Sequence, residues 1–185
     1  MLKTFARASL LALSLPLLLA ACSSTPTNKD EGNYSTVSSN QFINANYKAA
    51  DTLLQQLSGK LVADKPLIVA TIVNIDALDQ TTTLGRLVSE QLSTRMAQGG
   101  LQMLEMKLRN SVYLKRNQGE LMLTREIGEV ASSHNAQAIV VGSYAETSDM
   151  VFINVKVIQP NNNLVLAGTD YVLAKETIVR SMLKN

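Results

Sequence analysis

Residues 66–108 read PLIVATIVNIDALDQTTTLGRLVSEQLSTRMAQGGLQMLEMKL, and their pattern predicts a βαβ unit. Residues 66–75 are apolar without alternation and rich in β-branched side chains, which is typical of a central strand covered on both faces. A helix is predicted next, ended by Gly99 and Gly100, with one apolar side: Leu84, Val88, Leu92 and Met96. Residues 101–108 alternate, which predicts a second strand with Leu104, Met106 and Leu108 on one face. Such a unit should be a right-handed crossover.

A second amphipathic helix is predicted before this unit, over residues 42–57. Its apolar residues recur at steps of four and three and so form one face: Ile43, Tyr47, Ala50, Leu54 and Leu57. Asn40 can cap the start of this helix, and Gly59 can end it.

The second half of the chain predicts further strands. Residues 109–123 carry no pattern that assigns them, whereas residues 124–136 indicate a short helix. Residues 137–145 indicate another buried strand. Residues 150–159 alternate, with an apolar face made of Val151, Ile153, Val155 and Val157.

A hairpin follows, because the turn signal PNNN is succeeded by a return strand over residues 164–173. The C-terminal residues are expected to form a last helical turn or two. Together these elements predict a single domain of the α/β class over residues 41–185. It should have a mixed sheet, with βαβ crossovers followed by the antiparallel hairpin.

The first residues predict an export signal that ends in a lipid anchor. Lys3 and Arg7 precede the apolar run ASLLALSLPLLLA, a signal-peptide pattern too short for a bilayer span of about 20 residues. The run leads into Leu19-Ala20-Ala21-Cys22, which looks like the lipobox of bacterial lipoproteins. In that class the cysteine is acylated and the chain is cut just before it. Cys22 is the only cysteine; the alternative is a plain thiol near an ordinary cleavage site.

Residues 1–21 are therefore interpreted as a signal peptide, and residues 22–40 as the lipidated cysteine with a flexible tether. The tether is rich in Ser, Thr and Asn and spans about 23 Å as a random coil. Ser23 resembles the residue found after the cysteine in outer-membrane lipoproteins, where an aspartate commonly causes retention in the inner membrane. We expect attachment to the outer membrane through Cys22, facing the periplasm, although exposure at the cell surface remains open.

Composition excludes several functional classes. Without Lys3 and Arg7, the 17 basic residues of the chain become 15, which equals the 15 acidic residues. A neutral mature chain without a basic stripe argues against nucleic-acid binding. A single cysteine allows no internal disulfide, and an aromatic content of 4% without tryptophan disfavours carbohydrate stacking.

No catalytic, cofactor or metal motif is present in the sequence. Phosphate-loop, dinucleotide and G-x-S-x-G patterns are absent. The one histidine, His134, cannot form a multi-histidine metal site, and its place near a helix end favours a capping or surface role. The sequence therefore predicts no enzyme, no cofactor and no metal.

Five residues stand out at a candidate binding edge. Asp76 and Asp79 follow the first strand and could act as a carboxylate pair or as ligands of a hard cation. The plainer alternative is that both are turn residues that bond nearby backbone. Gly85 and Arg86 break two local rules, since glycine weakens a helix and a cation opposes the dipole in its first turn. Arg109 ends the second strand, which should bring it to the same sheet edge. The plainer alternative is that Gly85 permits close packing while Arg86 pairs with an aspartate.

The ordered set LIVATIVNI, the acidic loop, LGRLVSEQL, LRNSVY, HNAQAIVVGSY and INVKVI resembles the FlgO family of outer-membrane flagellar proteins. The resemblance spans residues 42–173. It implies a non-enzymatic lipoprotein that is needed for motility and works with other outer-membrane and periplasmic flagellar proteins at the basal body. It also implies a fold like the TolB amino-terminal domain and CsgG-type lipoproteins. Assembly around a rod would require a homo-oligomeric ring with head-to-tail contacts, for which Arg86, Arg109 and strand 164–173 are candidate surfaces.

Two other functions remain open. One is activation of peptidoglycan synthesis from the outer membrane, as in LpoB-type lipoproteins of similar fold; the short tether, about 60 Å when fully stretched, weakens it. The other is a periplasmic enzyme or small-ligand binder that uses Asp76, Arg86 and Arg109. A ligand-dependent shift in melting temperature would support the latter.

Overall fold

A mixed β-sheet organises the domain. The computed structural model describes residues 40–104 and 129–184. In that part of the chain the elements are α1 (Gln41–Leu57), β1 (Leu67–Val69), β2 (Val73–Asn74), α2 (Thr83–Gln98), β3 (Met103–Leu104), β4 (Ala138–Glu146), β5 (Met150–Gln159), β6 (Leu164–Ala174) and α3 (Thr177–Leu183). The strand order is β3-β1-β4-β5-β6, and β2 also pairs with β4. The predicted single α/β domain with a mixed sheet is confirmed.

The predicted first strand is split into β1 and β2, both parallel to β4. The break lies at Ile72, whose N–H donates to Ser89 Oγ at 2.8 Å and whose carbonyl accepts from Thr81 Oγ1 at 2.7 Å. Because both backbone groups of Ile72 bond to side chains, they are not available to the sheet. An uninterrupted apolar run cannot reveal such a break, since its cause lies up to 17 residues along the chain.

The β1–α2–β3 unit confirms the predicted βαβ arrangement. Strands β1 and β3 pair in parallel, Leu67 with Met103 and Ile68 with Leu104. The predicted apolar side of α2 is buried completely: Leu84, Val88, Leu92 and Met96. Gly99 is the C-cap, and Gly100 has a φ of 91°, which suits a glycine that ends a helix. The predicted continuation of β3 through Met106 and Leu108, like Arg109 and residues 109–123, lies outside the described residues.

Strands β4, β5 and β6 form the predicted antiparallel part of the sheet. On β5 the side chains alternate, and its inward face is buried: Val151, Ile153, Val155 and Val157. The turn between β5 and β6 ends at Asn163, whose φ of 57° is tolerated best by asparagine and glycine. Strand β6 lies at the edge of the sheet, and the short α3 follows it, as predicted.

Helix α1 begins and ends as predicted but presents a different face. Asn40 caps its start by accepting from the Phe42 and Ile43 N–H groups, and Gly59 follows its end with a φ of 75°. Its buried residues are Phe42, Asn46, Ala49, Ala50, Leu53 and Leu57. Of the predicted face, Ala50 and Leu57 are buried, and Ile43 and Leu54 are half-buried and pack against the core. The prediction was wrong for Tyr47, which is half-buried beside Arg95 instead. Buried Asn46 occupies a position where periodicity expects an apolar residue.

Both faces of β1 are covered, as a central strand requires. Leu67 belongs to the main core, which α1, α2 and α3 build against one face of the sheet. Ile68 points the other way and packs with Ala131, Ala136 and Ile139. Ala131 belongs to a helical segment, residues 129–133, within the predicted short helix.

Candidate functional site

The predicted binding edge is only partly described. Asp76 and Asp79 lie in the exposed turn after β2, and Arg86 is exposed in the first turn of α2. The side chain that bonds this turn belongs to Asn74, whose Oδ1 accepts from the Asp76 N–H at 2.9 Å. Cys22 and Arg109 lie outside the described residues.

Arg86 does not pair with either aspartate. Its Nη2 donates to Thr83 Oγ1 at 3.1 Å. In the part of the chain that the structure describes, the ion pairs within 4.0 Å are Arg95–Asp51 and Lys175–Glu146. The alternative that Arg86 pairs with Asp76 or Asp79 is therefore wrong. The side chain stays on the surface, where it can contact another molecule.

Gly85 has the packing role that the sequence predicted. A Cβ built on it would lie 2.2 Å from the Ile72 carbonyl oxygen and 2.3 Å from Thr81 Oγ1. The Ser89 hydroxyl donates to the Gly85 carbonyl at 2.8 Å while accepting from the Ile72 N–H. Buried hydrogen bonds thus hold the start of α2 directly against the break between β1 and β2.

The end of β4 is also bonded to the start of α2. The buried Tyr144 hydroxyl donates to Thr82 Oγ1 at 3.1 Å, at the N-cap position of α2. The turn that carries Asp76 and Asp79 is therefore anchored at its base. Among the described residues, no group of three or more histidine, cysteine or acidic side chains could hold a metal ion. Exposed charges on an anchored turn are suited to a surface contact.

A polar seam that the sequence analysis missed joins α1, α2 and β6. Asn46 Nδ2 donates to Gln91 Oε1 at 2.6 Å, and the Tyr171 hydroxyl donates to Asn46 Oδ1 at 2.6 Å. Burial raises the pKa of the Tyr171 phenol well above its ordinary value, because the charged form would lose its hydration. The only sign of this seam in the sequence is Asn46, an amide residue on the same side of α1 as Phe42 and Leu53.

A bidentate ion pair extends this seam. Arg95 Nε and Nη2 donate to the two carboxylate oxygens of Asp51 at 2.7 and 3.0 Å. The Arg95 guanidinium also lies 5.5 Å from the centre of the Tyr47 ring, within cation–π distance. These contacts fix α1 against α2 and explain why Tyr47 is not buried in the core.

The outer edge of β6 is covered along half of its length. Gln56 bonds both backbone groups of Gly168, with Nε2 to the carbonyl at 2.9 Å and Oε1 from the N–H at 3.1 Å. Lys60 Nζ donates to the Leu166 carbonyl at 2.7 Å. Side chains from the last turn of α1 and just after it thus satisfy the first half of the edge, which otherwise would offer a template for another strand.

A groove lies beside the second half of this edge. It has a volume of about 340 Å³ and is bounded by the start of α1, the end of β6 and α3. Its lining includes Asn40, Phe42, Val172, Glu176 and Ile178. Because Asn40 precedes α1, the predicted tether, residues 22–40, ends in this groove.

These features describe a small α/β domain with a mixed sheet, and solved structures of similar fold resemble it. The LpoB C-terminal domain from Salmonella enterica has a TM-score of 0.53 at 14% identity, over 72% of this chain and 98% of that one. The Escherichia coli LpoB C-terminal domain has a TM-score of 0.54 at 11% identity, over 74% and 100%. The solution structure of E. coli LpoB has a TM-score of 0.51 at 10% identity, over 94% and 85%. At such identities the similarity establishes the fold.

The family follows from the sequence match. The family model described as FlgO protein matches residues 47–178, and the chain belongs to the FlgO family. The match runs from within α1 to the start of α3. No curated protein matches the chain. Membership supports a flagellar-associated lipoprotein.

Proposed function

We propose that this chain is a non-enzymatic outer-membrane lipoprotein of the flagellar basal body, required for motility as a structural component or assembly factor. The FlgO match over residues 47–178 is the observation that carries the proposal. The anchored, charged turn and the open strand edge are consistent with it, because an envelope component acts through its surfaces.

The proposed anchor is the lipid on Cys22. The motif Leu19-Ala20-Ala21-Cys22 supports acylation after removal of a signal peptide, and Ser23 supports sorting to the outer membrane. Among the described residues no helix is long and apolar enough to cross a membrane. Two or more acyl chains hold a protein firmly on a bilayer, and residues 23–40 then keep the domain close to it.

The proposed contacts with flagellar proteins include Asp76, Arg86 and Arg109. Asp76 and Arg86 are exposed near the carboxyl end of β2, where α/β domains commonly bind partners. No cofactor, metal or nucleic acid enters this proposal. A homo-oligomeric ring around the rod remains a hypothesis, tested by the mass of the purified assembly.

Two variants test separately whether the lipid anchor is needed and whether it must lie in the outer membrane. Hook–basal bodies would be purified from cells that produce tagged wild type, Cys22→Ala or Ser23→Asp, and swimming would be scored in parallel. Cys22→Ala removes the acyl carrier, whereas Ser23→Asp keeps the lipid and is expected to hold it in the inner membrane. The wild type should co-purify with basal bodies, and both variants should lose co-purification and motility.

Other outcomes revise or reject the proposal. Motility with Ser23→Asp but not with Cys22→Ala would show that any membrane anchor suffices. A wild-type protein spread through the outer membrane, absent from basal bodies and dispensable for swimming, would reject the flagellar role.

A second candidate function is activation of peptidoglycan synthesis. The observation in its favour is the LpoB-like fold, which covers 98% and 100% of the two C-terminal domain chains. The tether opposes it, since 18 residues reach about 60 Å at most. Slower incorporation of labelled peptidoglycan precursor after deletion, with intact flagella, would favour this function.

A further inference from the structure

Among the described residues, the second half of the β6 edge has backbone groups without a hydrogen-bond partner. Gly168 bonds Gln56 through both backbone groups, so its N–H and C=O point away from β5. The β5–β6 register runs without a shift from Ala167 to Ala174, so Asp170 and Val172 point the same way. Within residues 40–104 and 129–184, no hydrogen bond reaches the backbone of Asp170 or Val172.

This open edge is short and bounded at both ends. At one end Gln56 occupies Gly168. At the other end the Ala174 carbonyl accepts from the Glu176 N–H at 2.8 Å, and the chain turns into α3. Five residues, 170–174, therefore remain available among the described residues, apart from the Ala174 carbonyl. Their centre is Val172, so the segment can pair with an antiparallel copy of itself.

The charges that flank the edge also suit an antiparallel copy. Lys60 lies at one end, on Leu166, and the exposed Glu176 lies at the other. If Val172 stands opposite Val172 of a second copy, Ala174 stands opposite Asp170 of that copy, and Glu176 follows at the end where Lys60 of that copy lies. The antiparallel pairing therefore brings a Lys60 and a Glu176 near each other at both ends of the contact. A parallel copy would place like charges together.

We propose that two copies of this chain pair through the open edge of β6, antiparallel, with Val172 on the two-fold axis. The two sheets then become one. Val172 is 46% exposed and lies opposite Phe152, which is 50% exposed, on the face of the sheet opposite the main core. Pairing would join the two Phe152–Val172 pairs into one apolar strip across the axis. The proposal is independent of the flagellar role, because it concerns contact between copies.

The symmetry agrees with anchoring in one bilayer. A two-fold axis through Val172 and perpendicular to the joined sheet keeps both copies of α1 on the same face. Asn40 lies in the groove beside this edge, so both tethers join their domains on that face. Lipids on both copies can then enter the same membrane. A two-fold contact closes at two copies and so differs from the head-to-tail contact of a ring.

Disulfide trapping in membranes tests the register. In an antiparallel hydrogen-bonded pair the two Cα atoms lie about 5.5 Å apart, within disulfide range. Val172→Cys in the full lipoprotein should therefore give an oxidised dimer on non-reducing gels. Val165→Cys is the matched control: Val165 is 51% exposed on the same strand, but its copy would lie about 45 Å away. The parent chain, with Cys22 alone, is the second control.

Charge exchange tests the orientation. Lys60→Glu or Glu176→Lys, each added to Val172→Cys, should lower the trapped fraction by about two- to fivefold, and the two together should restore it. Thermal melts of each variant establish that it folds. No dimer with Val172→Cys, equal trapping with Val165→Cys, or no recovery in the double exchange would overturn the proposal. Repeating the assay in cells without other flagellar proteins separates it from the flagellar role, since the dimer should persist there.

Discussion

Replacing Gly85 with alanine should destabilise the domain even though alanine is the better helix former. The new Cβ would lie 2.2 Å from the Ile72 carbonyl oxygen and 2.3 Å from Thr81 Oγ1. Real Cβ atoms essentially never approach heavy atoms closer than 3.0 Å, so the first turn of α2 must move by about 1 Å. The carbonyl of Ile72 is backbone and cannot rotate away like the end of a side chain.

The magnitude follows from the contacts that this movement disturbs. Overpacking of this kind costs about 1–3 kcal/mol. Weakening the buried bonds of Ile72 to Thr81 and Ser89 adds about 1–3 kcal/mol. The gain in helix propensity offsets about 1 kcal/mol. The net loss in the free energy of unfolding is thus about 1–5 kcal/mol, which lowers Tm by about 3–15 °C for a domain of this size.

The assay is thermal unfolding of the lipid-free chain, followed by circular dichroism at about 222 nm, where helices absorb. Gly168→Ala is the control, because a Cβ there would lie 3.7 Å from its nearest neighbour, an ordinary contact. That variant should melt close to the wild type. A Gly85→Ala protein that melts within about 2 °C of the wild type, or above it, would refute the packing argument.

Three further predictions concern the polar seam. Tyr171→Phe removes the hydroxyl that donates to the fully buried Asn46, and it should lower the free energy of unfolding by about 1–3 kcal/mol. Urea titration measures this loss. If there is no loss, the Asn46 amide has found another partner. Because burial raises the pKa of Tyr171, its contribution is complete below the ordinary tyrosine pKa and declines as pH rises above it. The Tm gap between wild type and Tyr171→Phe should therefore narrow at alkaline pH, and a gap that widens would contradict this sign. Arg95→Met should lower the free energy of unfolding by about 1 kcal/mol or less, since its partner Asp51 is partly exposed. High salt should reduce the stability difference between this variant and the wild type. A loss that does not depend on salt would point to packing instead.

The elements that periodicity predicted well are those whose partners are all apolar. On α2 the residues Leu84, Val88, Leu92 and Met96 recur at steps of four, and the core accepts them all. On β5 the alternation marks the inward face directly. In both elements the local pattern and the tertiary environment select the same residues.

Periodicity failed where a polar contact decided the packing. Helix α1 is rotated so that Asn46 reaches Gln91 and Tyr171, which lie 45 and 125 residues away along the chain. The gap between β1 and β2 likewise depends on hydrogen bonds from Thr81 and Ser89. Gly85 was recognisable as unusual because it breaks a local rule, but its contact with the Ile72 carbonyl was not. Long-range hydrogen bonds leave no periodic trace.

The proposed β6 contact and the proposed lipid anchor depend on each other energetically. An edge of five residues supplies few hydrogen bonds, each worth about 1 kcal/mol, against an association cost of at least about 4 kcal/mol. Such pairing should be weak for lipid-free chains at micromolar concentration. Tethers of 18 residues hold anchored domains at an average distance of about 23 Å from one membrane surface, which raises their effective concentration toward the millimolar range. Trapping at Val172→Cys should therefore fall sharply when Cys22 is also replaced by alanine. A dimer that persists at nanomolar concentration without the lipid would require an interface larger than the β6 edge.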